Sequence, residues 1–163
     1  VDAHTQIQDE LIRVLKASLM TPEVTDALGI PVKGVLKLVD KPLAAEDTPV
    51  VIVEIGHEQV EYQEGDTPPN RLVERTLQVV VIVSVNATLR SFAAIVRGLS
   101  DRVRTALSGF RRFEVCLLDA KVLAVSPEDY PSESGRQAGH TLNCAVTFWS
   151  RENTPGVIER LRG

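Results

Sequence analysis

The longest alternating run of apolar residues lies at positions 71–86, RLVERTLQVVVIVSVN. Leu77, Val79, Val81, Val83 and Val85 fall on one side of an extended chain, and Thr76, Gln78, Val80, Ile82 and Ser84 on the other, because a strand sends successive side chains to opposite faces. One face is wholly apolar and the other mixed, the pattern of a central strand whose core lies on one side. The run is longer than the usual strand of about five or six residues. Its outer part, 71–75, is therefore expected to project past the sheet as one arm of a hairpin.

Two stretches repeat at the helical period instead. Ile7, Leu11, Val14, Leu15 and Leu19 mark one face, with Asp9, Glu10, Arg13 and Lys16 expected on the other. Thr5 and Gln8 have the spacing of a capping box that would open this helix. Phe92, Ile95, Val96, Leu99, Val103, Ala106 and Leu107 predict a second helix over 91–108, closed by Gly109. Gly98 inside it costs about 1 kcal/mol relative to Ala, which points to close packing against the sheet. Between them, Thr21 as cap, Pro22 at the first position and Gly29 as stop predict one short helical segment.

Further strands are expected at 34–39, 50–55 and 141–149, the last with Leu142, Cys144, Val146 and Phe148 inward. Segments 113–118 and 122–125 are strand-like and compatible with one strand interrupted at Asp119-Ala120. Polar connections are expected at 56–70, joining two strands of a hairpin, and at 126–139. Loops of that length in a compact domain are commonly functional. The order predicts an α+β fold: a single, mainly antiparallel or mixed sheet, two main helices packed on one face, and a long β-hairpin. Residues 1–150 form one expected domain, and 151–163 a C-terminal tail or arm with a turn at Thr154-Pro155-Gly156.

Composition narrows the class. At 163 residues the chain can bury a core of its own. Only 4% is aromatic, so Val, Leu, Ile and Ala must fill that core. A formal net charge of -4 argues against a chain dominated by nucleic-acid binding. Cys116 and Cys144 lie in apolar runs without CxxC spacing and read as buried free thiols of a reducing compartment. No stretch reads as a membrane span or a signal peptide, and removal of an initiator methionine would account for the opening Val1.

The search for chemistry finds little. His4, His57 and His140 are far apart, and HEQVE at 57–61 lacks the second histidine of a zinc-protease helix. All three histidines read as solvated surface residues. There is no G-x-S-x-G elbow and no glycine-rich phosphate loop. Glu58, Glu61 and Glu64 could pair as acids, though a charge run in a polar loop is more often a solvated surface. No catalytic residue, cofactor site or metal site is assigned.

Charge is distributed unevenly. Residues 41–74 carry eight acids against Lys41 and Arg71, whereas residues 90–121 carry seven bases against Asp101, Glu114 and Asp119. Such patches can simply keep a domain soluble. They also suit a head-to-tail contact between identical subunits, which closes into a ring where the rotation permits. The candidate interface residues are Glu58, Glu61, Glu64, Asp66, Arg71, Arg75, Arg104, Arg111 and Arg112.

Over residues 36–149 the chain resembles the tail terminator proteins of long-tailed bacteriophages, the lambda-like minor tail proteins. The likeness is carried by LVDKPLAAEDTPVVIVEIGHEQVEY, an early strand, a proline-bearing polar loop and a buried strand running into an acidic segment. The return strand ERTLQVVVIVSVNA follows, then the amphipathic helix, the polar LAVSPEDYPSESGRQAGHT and the closing strand LNCAVTFW. The resemblance implies a virion protein without catalytic activity or cofactor. It would form a homohexameric ring at the head–tail junction, cap the major tail tube protein, end tube polymerisation, and present a surface to a head-completion or connector protein. DNA would pass through the lumen without sequence-specific binding, and no membrane is involved. Segment 21–29 and the tail after Trp149 depart from the family pattern. Another head–tail connection or tail completion protein is the alternative within that class, and a small cellular ligand-binding domain or enzyme the alternative outside it.

Overall fold

The structure, a computed structural model, describes residues 2–37, 45–62, 70–86, 91–132 and 135–160, except the side chains of 45, 110, 128–132 and 135–138. Among these, three helices, α1 (Ala3–Leu19), α2 (Pro22–Leu28) and α3 (Phe92–Ser108), accompany six strands: β1 (Gly34–Leu36), β2 (Val50–Tyr62), β3 (Leu72–Asn86), β4 (Asp119–Ser132), β5 (Gly135–Arg151) and β6 (Thr154–Glu159). They form one sheet in the order β1-β2-β3-β5-β4, with β6 also paired to β5. Only β1 and β2 run parallel; the other pairings are antiparallel. The expected α+β architecture is what the chain adopts.

β3 lies at the centre, between β2 and β5. Leu77, Val79, Val81, Val83 and Val85 are each 0% exposed. They pack with Leu142, Cys144, Val146 and Phe148 of β5 under the apolar stripes of α1 and α3. The two long helices thus cover one face of the sheet, as alternation on β3 and helical spacing elsewhere required.

Several local expectations are corrected. The N-cap of α1 is Asp2, whose carboxylate accepts from the Thr5 N–H at 2.8 Å, so Thr5 lies inside the first turn. Gln8 instead donates to the Val53 carbonyl at 2.9 Å and ties α1 to β2. Glu10 faces inward at 8% exposure. It stands three residues after Ile7 and four before Val14, on the buried stripe itself. α2 has the expected ends: Thr21 Oγ1 accepts from Val24 N–H, and Gly29 closes it with φ +78°. Gly98 makes its close approach to another helix rather than to the sheet, since a Cβ there would meet Leu28 Cδ2 at 2.9 Å.

The strands are longer than the hydrophobic pattern implied. β2 continues to Tyr62 past an irregularity between Ile55 and Glu58, and residues 63–69 lie outside the described region. Residues 72–75 do not project: 73–75 pair with β2 on one side, and 72–75 with β5 on the other. Residues 113–118 are not a strand; β4 begins at Asp119, and its irregularity falls at Leu123, which turns outward at 63% exposure. Much of the expected 126–139 loop is hairpin, with β4 paired to β5 as far as Ser132 and Gly135. Pro127 and Pro131 read as loop residues, but an edge strand tolerates proline because one row of its N–H groups has no partner strand. Past Trp149, β5 runs on to Arg151, and β6 returns along the side of β5 that β4 leaves open. The expected tail is therefore in part a sheet strand.

Candidate functional site

The nine candidate interface residues separate into three groups. Glu64 and Asp66 lie outside the described residues. Glu58, Arg71 and Arg75 are engaged within the chain. Glu58 sits on the helix-facing side of β2, its carboxylate 3.0 Å from His4 Nε2 of α1 and 2.9 Å from Arg75 Nη2 of β3. Arg75 also donates to the Pro155 carbonyl and lies over the Phe148 ring, 5.9 Å from its centroid. Glu58 and Arg75 thereby join the hairpin, the start of α1 and the start of β6. Arg71 grips Glu152 through Nε at 3.0 Å and Nη2 at 3.2 Å, and stacks over Tyr62 at 4.6 Å. That guanidinium holds the Glu152 carboxyl below its usual range.

The third group, Glu61, Arg104, Arg111 and Arg112, is exposed, and none of the four side chains makes an ion pair among the described residues. Glu61 stands directly opposite Glu74 on β3, which faces Trp149 on β5, which faces Glu159 on β6. Residues opposite one another share a face of the sheet. Three carboxylates and an indole thus form a row across four strands, on the face that carries no helix. Among the described residues the buried Trp149 Nε1–H has no acceptor. Glu74, Trp149 and Glu159 were not singled out from the sequence, because their meeting is a matter of register. Alternation alone could have placed Glu74 on the face opposite Leu77.

Elsewhere the polar groups hold the fold. The Glu10 carboxylate accepts from Arg13 Nε, 3.1 Å from both oxygens, and from the Glu114 N–H at 2.9 Å. Arg13 donates in turn to the Arg112 carbonyl at 3.2 Å. These bonds fasten the turn at Phe110–Arg112 and the segment after it to α1. His140 is not simply solvated: its Nδ1 lies 2.7 Å from Ser100 Oγ of α3. Burial, then the nearby Arg104 and Arg97 charges, push its pKa below 6.5 against a smaller opposing pull from Asp101. A serine and an imidazole at this distance have the spacing of a nucleophile and its base. Here Ser100 is 3% exposed beneath the helix, so the pair serves as a core hydrogen bond.

His57 lines a shallow depression of about 150 Å³ on the open face, with Gln59, Thr76, Gln78, Leu123 and Asn143 around it. Cys144 is buried, and burial pushes its thiol up to about 12, whereas Cys116 is only half-buried. Among the described residues no three His, Cys, Asp or Glu side chains converge as a metal site, and no helix is long and apolar enough to cross a membrane.

No family model matches the sequence, and no curated protein matches it. The fold does match solved structures. One is a chain described as the virion of a native gene transfer agent particle, with a TM-score of 0.57 and 18% identity, covering 91% of this chain and 98% of that one. At that identity the likeness concerns the fold: this chain has the architecture of a protein found in a virion.

Proposed function

We propose that this chain is a structural virion protein: a ring-forming subunit, hexameric in the family it resembles, that caps the tail tube at the head–tail junction. It ends tube polymerisation and offers its far side to a head-completion or connector protein. The observation that carries this reading is the near full-length fold match to a virion chain, 91% of one and 98% of the other. A match confined to one motif would be compatible with a borrowed module; one spanning both chains relates whole subunits. Charges that are unpaired among the described residues, acidic on the open sheet face and basic on the helix layer, support a contact between unlike patches of identical copies, the geometry of a ring. A net charge of -4 suits a lumen through which DNA slides without being held. On this reading the protein works through its surfaces and breaks no covalent bond.

The test adds the chain to the polymerising tube protein of its own particle and follows tube length and end structure by electron microscopy. Capping predicts a disc of extra density at one end and arrest of growth. Tubes that reach the same lengths with and without the chain overturn the proposal.

A further inference from the structure

We propose that the open sheet face at Glu61, Glu74, Trp149 and Glu159 receives the arginine-bearing side of α3 and the following turn of a second copy; this rests on the ring reading and assigns its two contact surfaces. Glu61 and Glu74 are direct cross-strand partners, and like charges so placed oppose the pairing of their strands. Glu159 adds a third carboxylate beyond Trp149. None of the three has an ion pair among the described residues, although the neighbouring Glu58 and Glu152 both do. Arg151, one register position beyond Trp149 on that face, is the nearby base, so the patch stays net acidic. Intramolecular packing has satisfied the adjoining charges and left this row net acidic, without an ion pair among the described residues.

The complementary surface is on the helix layer. Arg97 and Arg104 are exposed and two turns apart on α3, with Asp101 between them, and Arg111 and Arg112 are exposed on the next turn. None of these arginine side chains has an ion pair among the described residues; at Arg112 it is the backbone carbonyl, not the guanidinium, that accepts from Arg13. Arg97 and Arg104 lie close enough to His140 to act on its charge. His140 pairs with Val83, nine residues along β3 from Glu74, which is about 30 Å at the rise of a strand. That exceeds the Debye length of about 8 Å several-fold, so Arg97 and Arg104 are screened from Glu74; Arg111 and Arg112 lie nearer to β6, but on the helix layer, whereas the acidic row is on the opposite face. Among the described residues no ion pair joins the two patches within one molecule, whereas a second copy can bring them face to face. Trp149 between carboxylates suits a guanidinium, which can stack on the ring while its N–H groups reach the acids.

Sedimentation velocity at low salt tests the contact. One variant carries Glu61→Lys and Glu74→Lys; the other carries Arg104→Glu and Arg111→Glu. The wild type should self-associate. Each variant alone should associate about tenfold more weakly, the equivalent of about 1.4 kcal/mol. An equimolar mixture should regain wild-type association, because the reversed patches are complementary again. The contact is overturned if the reversals leave association unchanged, if the mixture does no better than its components, or if the wild type stays monomeric at its highest soluble concentration. Tube capping by a wild type whose association ignores these reversals would remove this contact and leave the ring reading standing. Failure of the wild type to cap would remove the ring reading itself.

Discussion

Gly139 gives the sharpest test of the sheet. It pairs with Ser84 near the end of the β3–β5 ladder. A Cβ built on it would sit 1.7 Å from the Val83 carbonyl oxygen and 2.9 Å from the Val83 carbonyl carbon. A carbon–oxygen contact normally needs about 3.3 Å, so Gly139→Ala must part the strands there by about 1.5 Å. Ladder bonds of about 2.9 Å are lost at that displacement. From this position to the last pair, Asn86 and Gln137, two or three bonds are at risk. At about 1 kcal/mol each they amount to about 2–3 kcal/mol. The reduced freedom of the unfolded chain returns about 0.4–1 kcal/mol, leaving a net loss of about 2 kcal/mol. Urea unfolding followed by the fluorescence of Trp149, the single tryptophan, measures it. Gly34→Ala is the control, because its Cβ would meet Leu36 Cδ2 at an ordinary 3.6 Å; it should stay within about 0.5 kcal/mol of the parent. A Gly139→Ala protein as stable as the parent would refute the register assigned to β3 and β5.

Glu10→Ala should cost about 1.5–3 kcal/mol, because it leaves the Glu114 N–H without its charged acceptor. Glu10→Gln, which keeps an acceptor, should cost less; urea midpoints for the pair check the order, and equal stability of Ala and parent would contradict it. Stability should also depend on pH through His140. Its folded pKa lies below 6.5, so below 6.5 the unfolded chain takes up the proton first, and stability falls as pH drops through the folded value. Glu10, Glu152 and Asp2 are likewise lowered, but from carboxylate values, so their loss comes at lower pH. Urea midpoints across this window should slope upward with pH and flatten in His140→Gln; a slope of the opposite sign would contradict the burial of the imidazole.

Position along the chain carried a good deal of this structure. Alternation from Leu77 to Val85 marked the buried face of β3, and helical spacing from Ile95 to Leu107 marked the buried face of α3. Thr21, Pro22 and Gly29 marked both ends of α2. These signals are local: each depends on the geometry of one element and on which of its faces meets water. Only tertiary structure decided which charges meet. Glu58 finds Arg75 and His4, and Glu10 finds the Glu114 N–H more than a hundred residues away. Ser100 lies against His140, and Glu61, Glu74, Trp149 and Glu159 fall into one row. Each of these meetings depends on strand register or helix placement, and a shift of one residue would carry a side chain to the other face. The sum of charges was readable from the chain, but which of them remain unpaired among the described residues was decided only when the sheet closed.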